Sequence, residues 1–203
     1  MVNDASRAQF QKLADTDKGR FGELVRLWLA DPSHRERADL VEANFPGYTR
    51  TRCVATMLSG GHAPNALPQK AEANVNCRIF PGVDPASTLK DLQAIAGKEV
   101  TVTLADGGTW APPSPTRADV TDAWRKALET KFPTAPVIPS MSAGATDAVY
   151  TRANGIPTYG VGGLWGYLGE PLGSHGLDER ILAKAFHDQI DIWEVMLKDL
   201  AGR

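Results

Sequence analysis

Three stretches of this chain carry side chains whose types and spacing could do chemistry. His175 stands between Ser174 and Gly176 in a glycine-rich segment with little apolar packing of its own. An imidazole so presented suits a metal ligand, zinc above all, although a loop or helix-capping histidine has the same local surroundings. Gly144-Ala145-Thr146-Asp147 opens a predicted helix with small residues. Backbone N–H groups at such a start can hold a carboxylate or a developing oxyanion; the plainer alternative, which local sequence favours, is an ordinary helix start with Thr146 or a neighbour as N-cap and Asp147 favoured by the dipole. The third stretch is Gly60-Gly61-His62-Ala63-Pro64-Asn65-Ala66-Leu67-Pro68 together with Arg78. A proline-bracketed loop presenting His62 and Asn65 near an arginine could grip a substrate carboxylate bidentately; the alternative is a long hairpin connection with a surface arginine.

Elements that would position these residues can be read from periodicity. Phe10 and Leu13, then Phe21, Leu24, Val25, Leu27, Trp28 and Leu29, recur at helical spacing until Asp31-Pro32-Ser33 breaks the pattern. A short helix follows from His34 to Glu42, with His34 expected on the solvated surface. Cys53 to Leu58 reads as a strand, and from Ala71 to Phe80 apolar Ala71, Ala73, Val75, Cys77 and Ile79 alternate with polar residues, the pattern of a sheet covered on one face. Asp84-Pro85 starts a helix through Ile95, and Val100 to Leu104 supplies another strand. Strand, strand, helix and strand together form part of a split β-α-β arrangement.

Ala111-Pro112-Pro113-Ser114-Pro115 is a stiff boundary, dividing the chain into expected domains of residues 1–110 and 111–203. Beyond it a helix from Ala118 to Phe132, strands near Val137-Ile138 and Thr158 to Val161, and helices Thr146 to Ala153 and Glu179 to Leu200 alternate as in α/β folds. Asp178 and Glu179 would then lie at the first turn of the last helix. Trp165 and Tyr167 share the loop that leads to His175.

Composition narrows the function classes. At 203 residues and 42% hydrophobic content the chain can bury a core as one domain or two small ones. The formal charge of −2, from 22 basic and 24 acidic residues, provides no field favouring nucleic acid or an anionic membrane. No apolar run is long enough to span a bilayer, and Met1 to Arg7 lacks a secretory signal. The expectation is a cytoplasmic chain as written, or a periplasmic or secreted one if cut from a longer precursor. Cys53 and Cys77 fall opposite each other if their strands pair about a centre near Asn65, and are expected to be buried, reduced thiols. Gly160-Val161-Gly162-Gly163 lacks the ending of a phosphate loop, and no Gly-x-Ser-x-Gly elbow occurs.

In order and spacing, Asn65-Ala66-Leu67-Pro68, Asn76-Cys77-Arg78-Ile79-Phe80-Pro81-Gly82, Gly144-Ala145-Thr146-Asp147 and His175-Gly176-Leu177-Asp178-Glu179-Arg180 resemble the di-zinc amidohydrolase and exopeptidase family. That family includes aminoacylase, carnosinase, glutamate carboxypeptidase and succinyl-diaminopimelate desuccinylase. The resemblance covers residues 48 to 203 and leaves residues 1 to 47 as a helical insertion in the smaller domain. It implies an α/β fold: a partial ferredoxin-like lid (β-β-α-β) followed by the C-terminal part of a three-layer zinc-peptidase domain. It implies that His175 is a zinc ligand and that Asn65, Arg78, Gly144, Ala145 and Thr146 bind the substrate's carboxylate or carbonyl, with His62 and Asp147 as further candidates. In a complete member, a zinc-bridging water of pKa near about 7, activated by a Glu, attacks an amide carbonyl.

The family's first ligand motif, His-x-Asp, is absent, as are its Glu-Glu pair and the Gly-His-Ser-type lid segment. The expectation is therefore a C-terminal portion of a zinc hydrolase acting on a small peptide or acylated amino acid, partnered by a missing N-terminal half or by a second copy as a homodimer. A self-sufficient small hydrolase with a rebuilt site and a non-catalytic dimerisation module are the alternatives.

Overall fold

In the computed structural model, which describes residues 1–105, 109–167, 170 and 172–202, the first helix begins where local chemistry dictates. The Asn3 side chain accepts from the Ser6 N–H at 2.8 Å while the Ser6 hydroxyl accepts from the Asn3 N–H at 3.0 Å. This reciprocal cap satisfies two of the unpaired donors at a helix start. Helix α1 (Asp4–Thr16) is followed by α2 (Arg20–Ala30), which stops before Pro32, and by α3 (Arg35–Asn44). Their apolar stripes meet in one core of Phe10, Ala14, Val25, Trp28, Leu29, Ala38 and Val41. Phe10 sits edge-on to Trp28 at 5.1 Å and to Phe45 at 5.3 Å, arrangements the ring quadrupoles favour. His34, the N-cap residue of α3, is half-buried rather than solvated, and its Nδ1 is shielded from solvent.

Glu42 turns the chain out of the helices. Its carboxylate accepts from the Gly47 N–H at 2.6 Å, the Thr49 N–H at 3.1 Å and the Thr49 hydroxyl at 2.6 Å. Gly47 takes a left-handed φ of 86° there, a conformation glycine adopts without a side-chain clash.

Strands β1 (Arg52–Gly60) and β2 (Ala71–Arg78) then pair antiparallel, with Cys53 opposite Cys77 as expected. The two cysteines form a disulfide, which corrects the reading as reduced thiols: antiparallel register brings their sulfurs together. The ladder shifts between Ala55 and Met57, where Thr56 is the extra residue of a bulge and its hydroxyl accepts from the Asn74 amide at 2.8 Å. Contrary to the alternation of β2, neither face of this two-stranded sheet is covered by the described residues; Leu58 is 79% exposed and Met57 69%.

Helix α4 (Pro85–Ala96) starts as its sequence predicts, with Pro85 at the first turn and the Asp84 carboxylate accepting from the Ala86 N–H at 2.9 Å. The strand expected at 100–104 is not formed. The Gln93 side chain donates to the carbonyls of Gly97 and Val100 and accepts from the Val102 N–H at 2.9 Å, so it occupies backbone groups a ladder would use.

The chain divides into two compact units, Met1–Pro113 with Pro139–Ile156 and Ser114–Ile138 with Pro157–Arg203. The second is built on α5 (Ala118–Glu129) and α7 (Ala183–Ala201), packed through Ala123, Ala127, Ile192 and Met196. The strands expected at 137–138 and 158–161 are absent among the described residues. Thr158 instead gives its N–H to, and takes a hydrogen bond from, the Ser114 hydroxyl at 2.9 and 2.8 Å. The fold is mixed α/β, with a small sheet and seven helices among the described residues; a three-layer arrangement is not seen in them. No described helix is long and apolar enough to cross a membrane.

Candidate functional site

His175 lies in the second unit, at the exposed tip of a tight turn. Among the described residues it is the non-glycine residue with positive φ, at 65°. A bulky side chain seldom adopts that conformation, and such residues concentrate at functional sites. The turn closes on itself: the Gly176 N–H donates to the Gly173 carbonyl at 2.7 Å, and the Arg180 N–H to the Leu172 carbonyl at 2.9 Å. At Gly173, also left-handed at φ 65°, a Cβ would stand 3.1 Å from the Asp178 carbonyl oxygen, a tight contact that the neighbour would have to relieve. The sequence here thus selects glycine on steric grounds and thrusts the imidazole outward.

Asp178 and Glu179 do not lie in the first turn of the last helix, because α7 starts only at Ala183. The Asp178 carboxylate instead pairs with the Arg180 guanidinium at 2.9 Å, both groups exposed.

Trp165 is tied to α7 by a buried charge that the sequence reading passed over. Asp188, 6% exposed, accepts from the Trp165 indole N–H at 3.0 Å and from Lys184 at 2.6 Å, with Lys131 at 3.4 Å. These donors, Lys184 first, hold its carboxyl below the ordinary carboxylate range. Trp165 meets Phe132 at 6.1 Å and Tyr167 at 5.8 Å, and Lys184 lies over its ring at 5.5 Å. A carboxylate four residues after a lysine on an otherwise apolar helix face was the available signal.

The remaining candidates belong to the first unit. Helix α6 (Ala148–Ala153) begins two residues later than expected. The Thr146 hydroxyl accepts from the Ala148 N–H at 3.4 Å and the Ser142 hydroxyl from the Gly144 N–H at 3.1 Å, while the N-cap position itself falls to Asp147, whose side chain makes no capping hydrogen bond. Gly144, Ala145, Thr146 and Asp147 are all exposed. His62 and Asn65 sit in the exposed loop joining β1 to β2, and Arg78 closes β2. The centre at Asn65 that sets Cys53 against Cys77 also sets Arg52 against Arg78. A shallow concavity of about 610 Å³ along α4, lined by Leu89, Gln93 and Val102 among others, contains none of these residues.

The donor set does not fit a whole zinc centre. Such a site takes four ligands, at least three of them from protein, and no group of three His, Cys, Asp or Glu able to hold a metal occurs among the described residues. His175 offers one imidazole.

A family model described as a peptidase dimerisation domain matches residues 10–103. Aminoacylase-1 of Homo sapiens is 31% identical over 152 residues, which are 72% of this chain and 36% of that protein. Aminoacylase-1 of Mus musculus is 32% identical over the same length, with the same coverage. The N-fatty-acyl-amino acid synthase/hydrolase PM20D1.1 of Danio rerio is 25% identical over 147 residues, 70% of this chain and 28% of that protein. The chain thus spans about a third of the length of the curated relatives it matches. No solved structure matches it.

Proposed function

The chain belongs to the M20 zinc amidohydrolase/peptidase family, and on that footing we propose that it is a portion of a metallohydrolase cleaving amide or peptide bonds of a carboxylate-bearing substrate. The observation that carries this reading is the outward imidazole of His175, held at a left-handed φ in a self-closed turn. In this reading His175 supplies one zinc ligand and the others come from polypeptide outside this chain.

Asn65 and Arg78 hold the carboxylate of a small peptide or acylated amino acid. The N–H groups of Gly144, Ala145 and Thr146 face its carbonyl, and His62 and Asp147 stand by as polar neighbours. Residues 1–110 act as the helical insertion and lid, whose exposed hairpin edges suit a homodimer, and residues 111–203 as the end of the catalytic domain. The Cys53–Cys77 disulfide favours an oxidising compartment, periplasmic or extracellular, over the cytoplasm.

Elemental analysis and turnover test this reading. In an assembly of this chain with the polypeptide carrying the remaining ligands, His175→Ala is expected to lower bound zinc and to cut hydrolysis of acylated amino acids by at least about 100-fold. Unchanged zinc and turnover in that variant would end the proposal. Stoichiometric zinc in the chain alone would replace it with a self-sufficient hydrolase.

A further inference from the structure

A two-stranded hairpin with nothing packed on it is marginally stable at best in water. Strands β1 and β2 are such a hairpin: among the described residues no third strand joins them and neither face is covered. Beyond the ladder itself and the Thr56–Asn74 hydrogen bonds, one covalent link holds them together. Cys53 and Cys77 face each other one pair in from the open end, next to the terminal Arg52–Arg78 pair. Every other pair of the ladder, and the loop carrying His62 and Asn65, therefore lies inside the ring that the disulfide closes. The link is also open to exchange. Cys53 is exposed and Cys77 half-buried, so Cys53 is the sulfur that a thiolate arriving from solvent meets, with no need for the helical core to open. The thiolate that leaves is Cys77, and the guanidinium of Arg78, the next residue, favours that anion. The chain has no other cysteine, so no neighbouring thiol competes.

We propose that the Cys53–Cys77 disulfide is a reversible redox switch, closed in an oxidising compartment and opened by a dithiol, which controls whether the hairpin edge is ordered enough to pair with a second copy of this chain. The inference rests on the reading of residues 1–110 as a lid that forms a homodimer, and adds the control of that pairing. The family model described as a peptidase dimerisation domain spans the whole hairpin. A strand edge recruits a partner through a row of unpaired N–H and C=O groups, and the closed link keeps that row in line. In the opening step one thiolate of the dithiol bonds to the Cys53 sulfur and the Cys53–Cys77 bond breaks. The electron pair stays on Cys77, which takes up a proton. The second thiolate of the dithiol then bonds to the first sulfur of the same molecule and releases Cys53, which is protonated in turn. The dithiol leaves as a cyclic disulfide, oxidised by two electrons, and the protein holds two thiols.

Sedimentation velocity of the intact chain before and after reduction by dithiothreitol under native conditions tests the switch, with free thiols counted by mass after alkylation. Both thiols are expected to appear while the helical signal stays unchanged, at a rate within about tenfold of that in denaturant. The dissociation constant of the homodimer should rise at least about tenfold on reduction, and oxidised glutathione should restore both the link and the dimer. The double variant Cys53→Ser, Cys77→Ser should match the reduced chain with or without dithiothreitol; if it loses the helical signal, the reduced parent decides alone. Thiols that appear only on denaturation, a dimer equally tight in both redox states, or a dithiothreitol response that persists in the double variant would overturn the switch and leave the homodimer standing. A monomer in both states would strike the homodimer reading and the switch with it.

Discussion

The three N-terminal helices and the hairpin that follows them are built by the same chain under opposite regimes. Helices α1 to α3 bury one shared apolar stripe around Phe10 and Trp28, leaving Leu27 and Leu40 exposed. The hairpin presents an equally regular alternation and buries almost none of it: Val54, Met57, Leu58 and Val75 all remain exposed. A helix satisfies its backbone from its own residues and needs only a neighbour for one stripe, whereas a strand needs partners at both edges and a cover on at least one face. The candidate site residues fall on the uncovered side of this division, in the hairpin, the loop at its end and the turn around His175. The regular core is thus scaffold, and the segments with chemistry are those the chain leaves open.

The largest test of this contrast is a matched pair of truncations. Phe10→Ala removes a fully buried ring in contact with Trp28 and Phe45 and is expected to cost about 3–5 kcal/mol in denaturant unfolding followed by the helical signal. Val54→Ala, on the open face, should change the same midpoint by no more than about 0.5 kcal/mol. A comparable loss from Val54→Ala would mean that the hairpin is covered in solution, and the division between the two regions would fall.

The disulfide gives the next largest effect. With so little apolar cover, the persistence of the β1–β2 pairing leans on the Cys53–Cys77 link, which closes a loop across a sequence separation of 24. Chain-entropy arguments value such a link at about 3 kcal/mol. Reduction, or Cys53→Ala, is expected to raise amide hydrogen exchange throughout β1 and β2 while leaving α2 protected. Equal protection of the strands in both redox states would show that other forces hold the hairpin.

How much of this could be read beforehand follows the range of the interactions involved. The start of α4 was legible because Asp84, Pro85 and Ala86 settle it among themselves, and the facing cysteines were legible because a hairpin's register follows from its centre. The strands at 100–104 and 158–161 were misread because a β pattern states a capacity to pair and not a partner. Gln93 and Ser114 side chains took those backbone groups instead. The left-handed turn at His175 was visible only as glycines on either side of it, and its closure by the Leu172 and Gly173 carbonyls lies beyond any periodicity.

The smallest effect concerns how an open loop is nonetheless kept in place. Trp165 is fixed to α7 by the ionised carboxylate of Asp188, and Lys184 and Lys131 hold that carboxyl below its ordinary value of 3.8. A depressed carboxylate contributes stability that is fully present above the unfolded-state value and disappears as pH falls through the folded-state value, so the anchor should release only below about pH 4. The indole N–H resonance of Trp165 is therefore expected to hold its position from neutral pH down to about pH 5 and to move below about pH 4. Asp188→Asn keeps an acceptor for the indole but no charge for the lysines, so its acid response should be flat. A parental midpoint retained in Asp188→Asn would assign the acid sensitivity elsewhere. The loop before His175 would then owe its place to the apolar contacts of Trp165 with Phe132 and Tyr167, the same kind of force that holds the helical scaffold.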